Sequence, residues 1–459
     1  MGAVVCVDFG STFTKAALVD LDTGEIVASA SHRTTIENDV LDGYDACLAT
    51  LTAQDSRAAT AGVLACSSAG GGLRIAVVGN EELVTAEAGR RVALSSGGKV
   101  VHVHAASRGD DFTAVAAAAP DVVLLTGGTD GGNEEVLLAC AQGLVDGGWS
   151  GPVVVAGNID AQPAVAEILG GTPYVLADNV VPKIGVLAPG SARAAIREMF
   201  LAHVIGGKHL SKRADFQAMV RGATPDVVLT GVELLARGLD EQRPGVGDAV
   251  VVDVGGATTD VHSVVEVDPE DSGLAREVVA STPVTRTVEG DLGMRWSAVS
   301  TVEEGHAAGL LDADEYAALQ AAAAARQADP GYLPEAGDAD DSDIDESIAR
   351  TAIALALRRH AGRSRVVLSP EGRVVERTGR DLREVELLVG SGGVLRNGRP
   401  GVAGRVFAGS TGEDIEGGWQ LPRTAQVVVD VDYVLAAAGL LAGPHPGAAY
   451  SLVRQLGRV

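Results

Sequence analysis

Two segments of the chain repeat one pattern, and this repetition constrains the fold more than any other feature. Val7–Lys15 (VDFGSTFTK) and Val251–Asp260 (VVDVGGATTD) each place an apolar strand before an aspartate, glycine and several hydroxyl side chains. The glycine permits a tight turn, and successive backbone amides in such a turn can form an anion-binding nest. One hairpin of this kind could be an ordinary polar turn. Two of them indicate a coarse duplication and a pair of phosphate-binding turns.

Charged side chains in these hairpins suit a nucleotide and its metal. Lysine occurs five times in the chain, and Lys15 lies in the first hairpin, where its charge would be directed at the same anion. Magnesium keeps several waters and is usually bound through one or two carboxylates and substrate phosphates. Asp8 and Asp253, which end the two strands, are therefore candidates for holding the waters of a magnesium ion.

A third glycine-rich segment follows another predicted strand. In Leu387–Leu395 (LLVGSGGVL) a strand, a glycine loop and a helix would let the backbone approach a flat ligand such as adenosine. Competing nucleotide motifs are missing, because Gly98-Lys99 and Gly207-Lys208 are followed by Val and His rather than Ser or Thr. No complete G-x-G-x-x-G follows a strand, and no G-x-S-x-G nucleophile elbow occurs.

Two further glycine loops have no clear assignment from the sequence. Leu125–Glu134 (LTGGTDGGNE) follows a predicted strand and precedes a predicted helix, so it could contact a ligand or a partner. It could equally be a tight turn between strand and helix, which is the interpretation we favour. Ser67–Gly72 (SSAGGG) is ambiguous in the same way.

Strands and helices alternate between the two hairpins, which predicts a mostly parallel sheet with helices on both faces. The predicted strands of this region are Ala61–Ala65, Arg74–Val78, Val100–His104, Val122–Thr126, Val153–Ala156 and Tyr174–Ala177, and the predicted helices include Asn133–Leu144, Pro163–Leu169 and residues 191–212. We expect a first lobe from residues 1–30 plus about 60–245, with an inserted α/β region, and a second lobe from 246–459. The acidic segment 328–346 is predicted to be a solvated loop before a helix at Ile348–His360.

Composition narrows the classes of function. With 61 acidic and 36 basic side chains the net charge is −25, which argues against nucleic-acid binding. The longest apolar stretches, such as Val434–Gly443, are too short to span a bilayer. The N-terminus begins directly with a strand pattern and carries no signal-peptide pattern. The four cysteines form no C-x-x-C pair, so we expect a cytoplasmic protein.

The order of the three motifs, phosphate hairpin, phosphate hairpin and adenosine loop, resembles the nucleotide site of the actin-like ATPase superfamily. Longer stretches resemble one branch of it, the MutL/GlmL family of accessory proteins of cobalamin-dependent glutamate mutase and related aminomutases. These stretches are DFGSTFTKAALVD (8–20), TTIENDVLDGYDACL (34–48), ACSSAGGGLRIAVVG (65–79), LVTAEAGRRVAL (83–94), LLTGGTDGGNEE (124–135), NVVPKIGVL (179–187), ARAAIREMFL (192–201), TVEGDLGMRWSA (287–298) and LLVGSGGVLRN (387–397). They cover nearly the full length, and the acidic segment 328–346 contains none of them.

The resemblance implies the fold, the cofactors and the function. The fold would be α/β and actin-like (ribonuclease H-like), with two lobes around a nucleotide cleft and an inserted α/β region. The protein would use ATP and Mg²⁺ as a reactivase or chaperone for an adenosylcobalamin-dependent mutase, whose subunits would be its partners. ATP binding and hydrolysis would change the angle between the lobes and so release damaged cobalamin from the partner. A homo-oligomer is possible.

The resemblance also implies residue roles, carried over motif by motif. Asp8 and Asp253 would orient Mg²⁺ through water. The residues implied to bind phosphate or to form the phosphate turns are Gly10, Ser11, Thr12, Lys15, Gly255, Gly256, Thr258 and Thr259, and those implied to line the adenosine pocket are Gly390, Gly392 and Gly393. Asp253 and Asp260 are both candidates for the acid that positions the attacking water, with Glu233 as a third.

Two other classes of function are compatible with these motifs. A small-molecule kinase of the same superfamily would need an acceptor pocket and an aspartate base, and no dedicated acceptor motif is recognisable. A protein that binds ATP without hydrolysing it is the other alternative. The intact Asp8, Lys15 and Asp253 argue against a degenerate site, so an ATPase is expected.

Overall fold

The computed structural model describes residues 2–106, 111–266, 282–334, 338–369, 372–412 and 418–457. The chain divides into two compact units. The first contains residues 2–231 together with Ala436–Leu452, and the second is formed mainly by residues 232–266 and Pro283–Leu435. The division expected from the sequence assigned all of residues 246–459 to the second lobe, whereas Ala436–Leu452 belongs to the first unit.

The strands in chain order are β1 (Ala3–Phe9), β2 (Phe13–Asp20), β3 (Glu25–Arg33), β4 (Gly62–Ser67), β5 (Leu73–Gly79), β6 (Gly98–Ala105), β7 (Val122–Leu125), β8 (Val153–Val155), β9 (Tyr174–Leu176), β10 (Val220–Ala223), β11 (Gly238–Asp240), β12 (Arg243–Pro244), β13 (Ala249–Val254), β14 (Thr259–Val264), β15 (Val284–Glu289), β16 (Arg363–Ser369), β17 (Gly372–Thr378), β18 (Leu387–Ser391) and β19 (Gln426–Val429). The helices are α1 (Val40–Gln54), α2 (Glu87–Ser95), α3 (Thr113–Ala117), α4 (Glu135–Asp146), α5 (Gln162–Leu169), α6 (Gly190–Met199), α7 (Ile205–Gly207), α8 (Ala214–Met219), α9 (Thr224–Arg237), α10 (Ala298–Ala307), α11 (Ala313–Ala328), α12 (Ala339–His360), α13 (Gly393–Arg396), α14 (Val402–Val406), α15 (Val434–Leu441) and α16 (Pro446–Val453). The strands predicted between residues 61 and 177 are all present, with ends within two residues of those expected.

The same five-stranded sheet occurs once in each unit. In the first unit the strand order is β3-β2-β1-β4-β10, and in the second the corresponding order is β15-β14-β13-β18-β19. In both sheets the first strand pairs antiparallel with the strand that follows it and parallel with a strand from later in the chain. This duplication confirms the predicted α/β, actin-like fold. The strands β1 and β13 are buried along most of their length, which explains their nearly continuous runs of valine.

An inserted sheet lies within the first unit. Its order is β6-β5-β7-β8-β9, and all neighbouring strands are parallel. The helices α2 and α6 pack on one face, and α4 and α5 pack on the other. This doubly wound arrangement confirms the α/β region predicted from the alternation of strands and helices.

The prediction of a solvated loop at 328–346 is wrong for much of that segment. The helix α11 ends at Ala328 and α12 begins at Ala339, so the helix predicted from Ile348 starts nine residues earlier. Asp338 caps it by accepting a hydrogen bond from the Asp341 backbone nitrogen at 3.0 Å. Acidic residues in a first turn also complement the positive end of the helix dipole.

Buried arginines explain why these acids are not simply solvated. The Arg326 side chain, 3% exposed, donates from Nε to Asp345 Oδ1 at 2.5 Å and from Nη2 to Asp341 Oδ1 at 2.6 Å. Arg295 Nη2 donates to the other oxygen of Asp345 at 2.9 Å. Glu346, the next residue, accepts from Arg405 Nε at 2.6 Å. We call Arg295, Arg326, Asp341 and Asp345 the buried ion cluster.

The helix predicted over 191–212 is shorter and interrupted. A π-helical turn, Phe200–Val204, separates α6 from α7, and the helix ends at Gly207. A glycine pair at 206–207 favours termination, and the following His209 has a left-handed backbone with φ of 48°. In the described segments, no helix is both long and apolar enough to cross a membrane.

The four cysteines are free thiols, and all of them are buried. Burial raises the pKa of the Cys6 thiol to about 12 and that of the Cys47 thiol to about 11. Since the thiolate is the reactive form, these cysteines behave as small apolar side chains.

Candidate functional site

The first hairpin closes through a single backbone hydrogen bond. Gly10 N donates to Phe13 O at 3.1 Å, and a Cβ atom at Gly10 would lie 2.6 Å from that oxygen, so only glycine fits. The loop after β3 braces the turn: Thr34 Oγ1 donates to Gly10 O at 2.8 Å, and Thr34 N donates to Thr12 O at 2.9 Å. The turn is therefore fixed by the protein itself.

The carboxylate of Asp8 is buried and has a contact on each oxygen. Thr224 Oγ1, at the start of α9, donates to Asp8 Oδ1 at 2.6 Å, and the Cys66 thiol donates to the same oxygen at 3.6 Å. Lys15 Nζ lies 3.5 Å from Asp8 Oδ2. Lys15 is the cross-strand partner of Asp8, so the register of β1 and β2 places this pair. Thr224 was not predicted. The feature of the sequence that could have indicated it is a polar residue directly after the strand β10.

Hydroxyl groups surround the turn. Ser11 is exposed and Thr12 is half-buried, and within the described residues neither hydroxyl has a hydrogen-bond partner. Ser67 pairs with Phe9 at the end of β4, and its hydroxyl is buried with no partner in the described part of the chain. The following residues, Gly70–Gly72, all have positive φ. The ambiguous loop Ser67–Gly72 thus begins beside the first hairpin.

The second hairpin has the same backbone geometry as the first. Gly255 N donates to Thr258 O at 2.9 Å, and a Cβ atom at Gly255 would lie 2.9 Å from that oxygen. The segment after β15 braces this turn: Met294 N donates to Gly255 O at 3.0 Å, and Arg295 N donates to Gly256 O at 2.8 Å.

The charges of the two hairpins differ. The cross-strand partner of Asp253 is Asp260, at the position that Lys15 occupies opposite Asp8. Arg286, a buried residue of β15 that was not predicted, donates from Nε to Asp260 Oδ1 at 2.9 Å. Thr258 Oγ1 donates to the other oxygen at 3.2 Å. Asp260 is therefore neutralised within its own unit.

Not every predicted ligand faces outward. Thr259 is fully buried, and its hydroxyl donates to Leu292 O at 3.1 Å. A Cβ atom at Gly390 would meet Leu395 and Phe407 in the core, whereas one at Gly393 would meet open space. Glu233 lies on α9, outside both hairpins.

The glycine loop predicted to bind adenosine passes directly over the end of β13. Gly392 has φ of 117°, and a Cβ atom there would lie 2.3 Å from Val254 O. The preceding Ser391 is the parallel partner of Asp253. The second hairpin and the predicted adenosine loop therefore share one sheet edge.

A buried acid that was not predicted lies at this edge. Asp430 is 1% exposed and caps α15, accepting from Val434 N at 2.8 Å and from Leu435 N at 3.1 Å. Burial, with a smaller contribution from the negative charges of Asp253 and Asp432, raises the pKa of its carboxyl to about 6 despite the two backbone hydrogen bonds. Asp430 directly follows β19. Like Thr224, it could have been indicated in the sequence only as a polar residue at the end of a strand.

Two histidines of the second unit are buried. His262 is a residue of β14, and His360 ends α12, where its ring bonds Thr287 Oγ1 at 3.0 Å and Ser263 Oγ at 2.8 Å. Burial holds the pKa of both imidazoles well below the usual range, and the charge of Arg286 lowers that of His262 further. Both rings are therefore neutral in the folded protein at neutral pH.

We expect the free energy of unfolding to fall in mild acid because of these two rings. The unfolded chain binds protons below a pKa of about 6.5 and the folded chain does not, so each histidine steepens the loss by about 1.4 kcal/mol per pH unit. Urea unfolding at pH 7.5, 6.5 and 5.5 measures this slope. His262→Leu should remove about half of this pH dependence. The control is His203→Leu, at an exposed histidine, which should leave the pH dependence unchanged. An unchanged slope in His262→Leu would contradict the conclusion that the buried ring is neutral in the folded protein.

Comparison with known proteins places these features in a family. Residues 4–456 match the sequence model of a family described as MutL protein. The chain is 34% identical to Protein MutL of Clostridium tetanomorphum over 465 aligned positions, which cover 99% of both proteins. Weaker structural likenesses include a diol dehydratase-reactivating factor in nucleotide-free form (11% identity, TM-score 0.35, covering 97% of this chain and 100% of that one). Another is the activator of 2-hydroxyisocaproyl-CoA dehydratase from Clostridium difficile with bound ADPNP (10% identity, TM-score 0.33, 100% and 99% covered).

Proposed function

This chain belongs to the MutL protein family, and from that premise we propose that it is an ATP-dependent reactivase or chaperone for an adenosylcobalamin-dependent mutase, such as glutamate mutase or an aminomutase. One observation carries the proposal: two hairpins have the same glycine turn, an aspartate lies two residues before each turn glycine, and each turn is braced by other parts of its unit. Braced turns suit phosphate, because an anion is bound best by donors that need no rearrangement.

We propose that both hairpins bind the phosphates of ATP. In the first hairpin the amides of the turn, the hydroxyls of Ser11 and Thr12 and the ammonium of Lys15 would supply donors. In the second hairpin Gly255 N closes the turn, so the donors would be the amide of Gly256 and the hydroxyl of Thr258, which would exchange Asp260 for phosphate. Thr259 is the weakest candidate, because it is fully buried and its hydroxyl is bonded to Leu292 O.

The donor set fits a magnesium ion bound mainly through water and phosphate. Such an ion needs one or two carboxylates, and Asp8 and Asp253 each end a strand beside a phosphate turn. Bound Mg²⁺ would supply charge neutralisation for the triphosphate. We propose that Asp253, two residues before the turn glycine Gly255, orients the attacking water, whereas Asp260 contacts Arg286 and Thr258.

Lys15→Ala should weaken ATP binding about tenfold, because it removes a charge-assisted contact worth about 1.5 kcal/mol. Titration of ATP by calorimetry measures the change in Kd. Lys99→Ala is the matched control, since Lys99 is an exposed lysine outside the hairpins. Equal affinity and turnover in Lys15→Ala and the wild type would refute the phosphate role.

The proposed function is tested by an ATP-turnover assay with and without a candidate mutase that carries inactivated cobalamin. Recovery of mutase activity that needs ATP and is lost in Asp253→Ala supports it. If ATP is consumed without a mutase and a phosphorylated metabolite accumulates in equal amount, the chain is a small-molecule kinase instead. Binding of ATP without turnover in either arm would identify a non-hydrolysing nucleotide protein.

A further inference from the structure

Three loops at the carboxyl edge of the inserted sheet are joined by one side chain. Asp130, in the glycine loop after β7, accepts from Ile159 N at 3.2 Å and from Asn179 Nδ2 at 2.8 Å, each with Oδ1. Its own backbone nitrogen donates to Pro182 O at 3.2 Å. These partners belong to the loops that follow β8 and β9. Asp130 therefore holds the three loops as one body.

The other polar groups of these loops also bond to one another. Asp160 accepts from Gly131 N at 2.8 Å, and Asn179 Nδ2 donates to Gly128 O at 3.0 Å. Asn158 is fully buried, with Oδ1 accepting from Asp160 N at 3.0 Å. The glycine loop is thus a braced turn, as the sequence favoured. Its inward polar groups are already used, so they are poorly suited to bind a small polar ligand.

Apolar side chains lie on the outside of the joined loops. Ile159, directly after β8, is 46% exposed, and in the loop after β9 Ile184 is 83% exposed and Val186 is 46% exposed. Ile184 is only two residues from Pro182, whose carbonyl contacts Asp130, and Ile159 contacts the same aspartate. We call Ile159, Ile184 and Val186 the carboxyl-edge surface. Neighbouring loops that expose several apolar side chains within a polar border are typical of an interaction site.

Acidic side chains border this surface. Glu134, Asp160 and Asp178 are exposed on the same three loops, against a single exposed lysine, Lys183. A complementary face would therefore be apolar and bordered by arginine or lysine. A second copy of this chain fits poorly, since its net charge is −25 and its own edge carries the same acids.

We propose that the carboxyl-edge surface is the docking site for the mutase partner, on a face of that enzyme where apolar residues are flanked by basic ones. This inference rests on the proposed function and adds the place of contact. The opposite charges would speed association and make it sensitive to salt, and Ile184 would supply the central apolar contact.

The test measures the Kd between this protein and the purified adenosylcobalamin-dependent mutase of the same organism by biolayer interferometry. Ile184→Glu should weaken binding at least about 30-fold, the effect of losing a central apolar contact and burying a charge. Asp178→Lys should slow association several-fold and reduce its salt dependence. The control is Val145→Glu, because Val145 is 37% exposed on α4 of the same inserted region. ATP turnover without mutase should be unchanged in all three variants.

Each other result overturns the inference in a distinguishable way. If Ile184→Glu and the wild type bind the mutase equally, the docking site is wrong while the proposed function stands. If the wild type does not bind the mutase, the proposed function fails and the inference fails with it. If Ile184→Glu changes only the protein's own sedimentation, the surface is a contact between copies of this chain.

Discussion

Replacing Asp253 by asparagine should lower the rate of ATP hydrolysis about 1,000-fold, comparable to the loss of one preorganised group in other active sites. The carboxylate lies at the end of β13 beside the second phosphate turn, and its parallel partner Ser391 begins the adenosine loop. Asparagine keeps the shape of the side chain and removes the charge that would hold the waters of the metal. The expected loss is therefore in kcat, with a smaller change in the affinity for ATP.

A steady-state phosphate-release assay with purified protein measures this prediction. Asp340→Asn is the matched control, because Asp340 is an exposed carboxylate of α12 in the same unit. The two variants should have the same unfolding midpoint in urea, which separates lost chemistry from lost structure. Turnover in Asp253→Asn within tenfold of the wild type would exclude Asp253 as the essential acid.

The buried ion cluster gives the largest expected effect on stability. Asp345→Ala should lower the free energy of unfolding by about 3–5 kcal/mol, because it leaves the buried guanidinium of Arg326 without its closest counter-charge. Arg295 loses a partner in the same variant. Urea unfolding followed by circular dichroism measures the difference.

Asp343 provides the control on the same helix. Its side chain is 63% exposed and pairs with Arg399 at the surface, so Asp343→Ala should cost much less than Asp345→Ala. A double variant, Arg326→Met with Asp345→Leu, should recover most of the lost stability, since an apolar pair removes the uncompensated charge. If Asp343→Ala and Asp345→Ala lower the free energy of unfolding equally, the buried ion cluster contributes no more to stability than a surface ion pair.

The cluster also reaches the glycine turn of the second hairpin. Arg295 donates through its side chain to Asp345 and through its backbone nitrogen to Gly256 O. A change at Asp345 can therefore displace the turn that we propose binds phosphate. We expect Asp345→Ala to weaken ATP binding as well as folding, whereas Asp343→Ala should leave ATP binding unchanged.

The strands and both glycine turns could be predicted because their signals are local. An apolar run that ends in Asp-x-Gly, as at Asp8 and Asp253, specifies a strand and its turn within ten residues of sequence. The duplicated strand order then follows from repeating that unit. The start of α12 could not be predicted this way, because its acids resemble a solvated run. Their partners, such as Arg326 and Arg405, come from other parts of the chain.

The missed residues of the candidate site share one property: each is a single polar residue without a motif. Thr224 and Asp430 directly follow the strands β10 and β19, whose positions in the sheets are set by long-range pairing. Arg286 reaches Asp260 from the neighbouring strand β15. Only the register of the sheets shows that these side chains meet the hairpins, and no spacing in the sequence encodes that register.

The buried cysteines have a practical consequence for following this protein at work. Because burial keeps the thiols of Cys6 and Cys47 protonated at neutral pH, maleimide dyes should react with them slowly. A cysteine introduced at an exposed position, such as Asp340→Cys, would be labelled far faster than the native thiols. Site-specific fluorescent or spin-labelled samples can thus be prepared from the natural sequence, without first replacing the native cysteines.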